Sequence, residues 1–102
     1  MEQVNVIGLQ NGKLTIALSG DIDLSNAELF YQEVVKAYEG QPADILFESE
    51  NLNFIDSTTL GTFVKILKML KENGHTMRLV GLQPKIKKLF LICALNNIKE
   101  IE

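Results

Sequence analysis

From Leu14 onward, the spacing of apolar residues switches between the two-residue period of a strand and the 3.6-residue period of a helix. Few folds satisfy such an alternation. Val4, Val6 and Ile7 make a short first strand, and Leu14-Thr15-Ile16-Ala17-Leu18 makes a second. Asn11-Gly12 between them predicts a tight hairpin turn, because both residues tolerate positive φ. Ser19–Leu24 reads as a polar turn, and Ser25-x-x-Glu28 has the spacing of a capping box opening a helix to about Glu39. The apolar seam of that helix is Ala27, Phe30, Tyr31, Val34, Ala37 and Tyr38, with Gly40 and Pro42 as its stop. Asp44-Ile45-Leu46-Phe47 is a third strand, apolar enough to be buried on both faces, and Glu48–Phe54 reads as a loop. Ile55–Gly61 opens a helix running to about Glu72, with Leu60, Phe63, Val64, Leu67 and Leu70 inward. Asn73-Gly74 ends it, and Thr76–Val80 supplies a fourth strand. Pro84 suits a first helical position, predicting a helix through about Leu95 with Ile86, Leu89, Phe90 and Cys93 inward. Ile98 and Ile101 suggest a last short strand. The expected fold is α/β: a mixed sheet of four or five strands, mainly parallel, with three or four helices.

The 102 residues leave room for one domain, spanning 1–102. A chain of this size buries about 60–70% of its unfolded surface, so a core forms without metal or disulfide. The single cysteine, Cys93, excludes an internal disulfide and is expected to be a buried small hydrophobe. The single histidine, His75, excludes a multi-histidine metal site. A net charge of −3 gives no general pull toward nucleic acid or anionic lipid. No segment approaches the roughly 18 apolar residues of a membrane span. Met1-Glu2-Gln3-Val4 lacks the basic and apolar regions of a signal peptide. These features predict a soluble cytoplasmic domain without metal or cofactor. Charge is unevenly divided, with two bases against nine acids in residues 1–50 and eight bases against four acids in residues 51–102. Solvated helix faces account for this, and so does a bipolar surface suited to an oriented protein partner.

The catalytic inventory is thin. Asp21, Asp23 and Asp56 are the acids near strand-to-helix junctions, and Asp21-x-Asp23 reads as a hydrogen-bonded turn more readily than as a cation site. There is no phosphate-cradling G-x-x-x-x-G-K-[ST], no G-x-G-x-x-G and no H-E-x-x-H. Nothing in the sequence brings His75 to Ser57 as a nucleophile's base. Asp56-Ser57-Thr58-Thr59 remains, a carboxylate and three hydroxyls at a helix N-terminus. Capping of orphan N–H groups needs only one of them. The same place also suits a phosphoryl group, since the N–H groups and helix dipole favour negative charge.

The run Leu52-x-Phe54-Ile55-Asp56-Ser57-Thr58-Thr59-Leu60-Gly61 resembles the D-S-x-G-L-G signature of STAS domains, among them the anti-sigma factor antagonists of bacteria. Leu18-Ser19-Gly20-Asp21-Ile22-Asp23 is similar to their L-x-G-[ED]-[LI]-D segment, and Pro84-x-Ile86-x-Lys88-Leu89-Phe90 to the start of their last helix. The three occur in order, so the resemblance covers nearly the whole chain. It implies a STAS-like fold and a non-enzymatic switch. An anti-sigma factor with serine kinase activity would bind the unphosphorylated domain, phosphorylate Ser57 (Thr58 as backup acceptor) and let go. A PP2C-type phosphatase would reset it. Asp23, Asp56 and Thr59 would form the surroundings of the phosphosite. The partner face would be Asp21, Ser57, Thr58, Gly61, Thr62, Lys65 and Met69, of which Thr62, Lys65 and Met69 lie opposite the core stripe of their helix.

This sequence also departs from the pattern. Thr59 stands where the signature has glycine, adding a β-branched side chain expected to obstruct a close partner backbone. Glu48 and Ser49 interrupt the third strand, and Leu91, Ile92 and Leu95 leave apolar surface outside the last helix's seam. An alternative within the resemblance is a scaffold or accessory subunit, of a stressosome-like complex or a lipid-transport ABC system. A receiver-type phosphoacceptor, with Asp56 modified and Asp21 and Asp23 binding magnesium, fails because Asp56 stands several residues past its expected strand.

Overall fold

The computed structural model describes residues 1–92. Cys93, the last helix's continuation to Leu95 and the strand expected at Ile98 and Ile101 lie outside the described residues. Four strands form one sheet in the order β1 (Val4–Gln10), β2 (Lys13–Ile22), β3 (Asp44–Ile55), β4 (Met77–Val80). β1 and β2 are antiparallel, while β2–β3 and β3–β4 are parallel. The parallel pairs need crossovers, supplied by α1 (Ala27–Gly40) and α2 (Ser57–Glu72). α3 (Pro84–Ile92) follows β4, with Pro84 in the first position as its fixed φ favours. The hairpin turns at Asn11 (φ 54°) and Gly12 (φ 78°), the left-handed pair expected of that dipeptide.

Two strands outrun their sequence signal. β2 continues through the expected polar turn to Ile22, and β3 through the expected loop to Ile55. The register shows the cause. β2 advances from Ala17 to Ser19 while β3 advances from Glu48 to Asn51, and from Gly20 to Asp21 while β3 advances from Leu52 to Phe54. Each shift inserts one extra residue into β3, so the inward positions stop alternating and the segment loses its two-residue period. The first part of β3 also alternates rather than being buried on both sides: Ile45 and Phe47 are buried, Leu46 only half so. Ser49 is fully buried, with its Oγ donating to the Phe47 carbonyl at 3.3 Å.

The capping box does not form. Asn26 precedes α1 without a side-chain cap, and the Ser25 hydroxyl donates instead to Asp23 Oδ1 at 2.5 Å. Ala27, Phe30, Val34 and Tyr38 are buried along α1, with Tyr31 and Ala37 at the margin. On α2 the inward set includes Ile66, while Val64 lies half-exposed. The core centres on four phenylalanines, with Phe63 edge-on to Phe30, Phe47 and Phe90 at 5.1, 5.5 and 5.4 Å between ring centroids. Among the described residues, no helix is long and apolar enough to cross a membrane.

Candidate functional site

β2 and β3 end side by side at Ile22 and Ile55, so the chain leaving each one meets at the same end of the sheet. Asp56 follows in an extended conformation (φ −113°, ψ −176°) and caps α2. Its Oδ1 accepts the Thr59 N–H at 2.9 Å, and its Oδ2 accepts the Leu24 N–H at 2.8 Å. One carboxylate therefore closes the helix and holds the β2–α1 loop against it. The Thr59 N–H is the main cause of an Asp56 pKa below the usual carboxylate value, reinforced by the Leu24 N–H and opposed by partial desolvation.

That depressed pKa fixes the sign of a pH effect. The stabilisation from Asp56 is complete above the unfolded carboxylate's pKa and is lost as pH falls through the lower, folded one. Asp56→Ala is expected to cost about 1–2 kcal/mol near neutrality, as loss of an N-cap does. Urea titrations should show the gap to the wild type closing below about pH 4. A gap that stays constant to low pH would mean the charge is not what holds the two elements.

Ser57 and Thr58 begin α2 exposed, and neither hydroxyl makes a hydrogen bond within the described residues. Asp56 has taken the capping role, which leaves both hydroxyls free. Thr59 corrects an expectation: it is 0% exposed. Its Oγ1 lies 2.7 Å from the Ile22 carbonyl and 3.0 Å from Asp56 Oδ1, one proton serving two acceptors. The β-branched side chain is turned inward, tying α2 to the end of β2, and presents no obstacle to an approaching backbone.

Asp23 is engaged by Ser25, whose N–H donates to its Oδ1 at 2.9 Å, and it adjoins the residue held by Asp56. Asp21 is exposed and pairs with Phe54 across the sheet. Gly61 is exposed too, and a Cβ there would meet only open space. Thr62 donates to the Thr58 carbonyl at 3.0 Å. Lys65 reaches over the Tyr31 ring, 4.1 Å from Nζ to centroid, which anchors it across α1 and α2. Met69 packs partly against the core, so it lies at the edge of the face and not on its open part. His75 bonds the Tyr38 hydroxyl through Nδ1 beyond the far end of α2. Ser57 opens this helix of 16 residues, which is about 24 Å long at 1.5 Å per residue. No triad forms. Among the described residues, no group of three or more His, Cys, Asp or Glu is arranged to hold a metal ion.

Leu24, 75% exposed, and Phe54, 47% exposed, also belong to this end of the sheet. Sequence periodicity passed over both, because each lies where an irregular turn or loop was expected.

The model of the STAS domain matches residues 3–102. The chain belongs to the STAS domain family. The anti-sigma-B factor antagonist of Bacillus subtilis (strain 168) is 32% identical over 99 residues, covering 96% of this chain and 90% of that protein. Among solved structures, the anti-sigma factor antagonist SpoIIAA in its unphosphorylated form superimposes with a TM-score of 0.81 at 19% identity, over 97% of this chain and 85% of that one. The Bacillus cell fate determinant SpoIIAA in the phosphorylated form gives 0.74 at 20% identity, over 97% and 88%. At these identities the two structures establish the shared STAS fold.

Proposed function

We propose that this STAS protein is an anti-sigma factor antagonist. It binds a kinase-like anti-sigma factor while Ser57 is unmodified, and phosphorylation of Ser57 by that partner releases it. A PP2C-type phosphatase restores the binding form. The observation that carries this reading is the Ser57 hydroxyl, exposed and unbonded at the head of α2 while Asp56 does the capping. The 32% identity with an anti-sigma-B factor antagonist supports the same assignment.

The surroundings suit a surface switch. Lys36 is the sole base between residues 14 and 64, so the β2–α1 loop and the start of α2 carry no cation of their own to draw a phosphate inward and reorganise the fold. Gly61 adds a second support. Glycine within a helix costs about 1 kcal/mol relative to alanine, and no internal packing here requires it. A bare patch beside Ser57 lets a partner's backbone approach closely.

Incubation with the kinase-like anti-sigma factor and ATP, followed by intact-mass measurement and peptide mapping, tests the proposal. One phosphoryl group on Ser57 is expected. Modification of Thr58 instead would move the acceptor by one residue. No modification of either would favour the scaffold or transport-subunit alternative. Lys65→Glu is expected to weaken partner binding while costing about 0.5–1 kcal/mol of stability, the usual worth of a cation–π contact at an exposed site. If binding falls only as far as folding does, Lys65 is structural and lies outside the interface.

A further inference from the structure

The loop between β2 and α1 is fixed more firmly than a surface loop needs to be. The Asp23 N–H donates to Asn26 Oδ1 at 2.8 Å, and Asn26 Nδ2 donates to the Asp21 carbonyl at 3.0 Å. Ser25 gives both its N–H and its hydroxyl to Asp23 Oδ1. The Leu24 N–H is held by Asp56 Oδ2, from a residue 32 positions away. The side chain that this network immobilises is a leucine left 75% in water. A lone exposed leucine is ordinary on a mobile loop. Here its backbone is held by the same carboxylate that caps the helix bearing Ser57, and Phe54 adds a second exposed apolar group two residues before that carboxylate.

Charge around the pair selects what can cover it. Asp21, Asp23 and Glu28 lie in the segment 19–28 that carries Leu24, which contains no lysine or arginine, and Asp56 bonds that segment. Lys85, Lys87 and Lys88 lie on the Phe54 side, following Gln83, which donates to Asn53. At Leu24 an anionic membrane or a nucleic acid would be repelled. A protein with an apolar pocket rimmed by arginine or lysine is complementary in both respects. We infer that Leu24 is an apolar anchor, buried on binding in a basic-rimmed pocket of the partner, and that Asp56 is its positioning residue. The inference rests on the proposed anti-sigma factor interaction and adds to it a contact that Ser57 does not supply. Because the loop is ordered beforehand, little freedom is lost when the leucine docks, which is the condition under which one side chain contributes heavily.

The test uses the full chain and the kinase-like anti-sigma factor, with affinity measured by calorimetry at low and moderate salt. Leu24→Asn is expected to weaken binding by about tenfold or more, and Leu24→Met to stay within about threefold of the wild type. Both variants should melt at the wild-type temperature, and wild-type affinity should fall as salt rises. Asp56→Asn, which can still cap a helix but carries no charge, should speed hydrogen exchange at the Leu24 amide and weaken binding without unfolding the protein. Wild-type affinity for Leu24→Asn, or equal losses for Asn and Met, overturns the anchor. Unchanged exchange at Leu24 in Asp56→Asn overturns the positioning role. Failure of the wild type itself to bind the kinase-like partner defeats the functional proposal and the anchor with it. Binding that ignores Leu24 defeats the anchor alone.

Discussion

Phe63→Ala is expected to destabilise the domain by about 3–5 kcal/mol, the largest loss from any single truncation in this core. Phe63 is 0% exposed and meets three other rings, one from each of the remaining layers: Phe30 of α1, Phe47 of β3 and Phe90 of α3. Removing it leaves a cavity walled by those rings, and none can fill the space without leaving its own contacts. Edge-to-face geometry adds about 0.5–1.5 kcal/mol per pair beyond the area buried. A domain of this size has a total stability of about 5–15 kcal/mol, so the variant loses a large share of it and should unfold at a markedly lower urea concentration than the wild type. Phe63→Leu, which keeps most of the volume and none of the ring geometry, should fall between the two. A loss below about 1 kcal/mol for Phe63→Ala would show that the layers hold together without their shared aromatic contact.

The same residue illustrates what the sequence made legible. Phe63 and its neighbours Leu60, Leu67 and Leu70 recur at helical spacing, and their burial follows from that period alone. The Asn11-Gly12 turn, the Pro84 start and the alternation of strand with helix were readable for a similar reason: each depends on local chemistry that tertiary contacts did not override. The ends of β2 and β3 were not readable. Parallel pairing with two inserted residues destroys the alternation by which a strand is recognised, so Glu48–Phe54 looks like loop and is strand. At the site, Asp56, Ser57 and Thr58 could be located from the helix start and the signature run. The inward turn of Thr59 could not, because it depends on the Ile22 carbonyl, 37 residues away. Ser25 looked like a cap by spacing, but Asp23 offered its hydroxyl a nearer acceptor. Leu24 was hidden for a further reason. Its significance lies in being held by Asp56, and a hydrogen bond across 32 residues leaves no trace in local sequence.

Ser57→Asp is expected to leave the fold intact and to weaken binding to the kinase-like anti-sigma factor by about 2–5 kcal/mol, roughly thirtyfold to several thousandfold. The two halves of that expectation have separate causes. Within the domain, position 57 is the first residue of α2, where the helix dipole favours a negative charge by about 0.3–1 kcal/mol. That gain offsets repulsion from Asp56, whose own charge is already engaged by the Thr59 and Leu24 N–H groups. Melting temperature should therefore change little. At the interface the carboxylate is one more charge to desolvate, and the basic rim inferred around Leu24 is already matched by Asp23 and Asp56. The new carboxylate would be desolvated beside Asp56 and the Asp23 loop, on a surface where the bare Gly61 position brings the partner close. A phosphoryl group, with about −1.5 to −2 charges, should act in the same direction and more strongly. Ser57→Ala should bind as the wild type does and should not be released by ATP. Ser57→Asn separates size from charge, since it is nearly isosteric with aspartate and neutral. If Asn binds close to wild type while Asp does not, charge at position 57 is the switch; if both fail equally, the partner reads shape there, and phosphorylation would release it by steric exclusion.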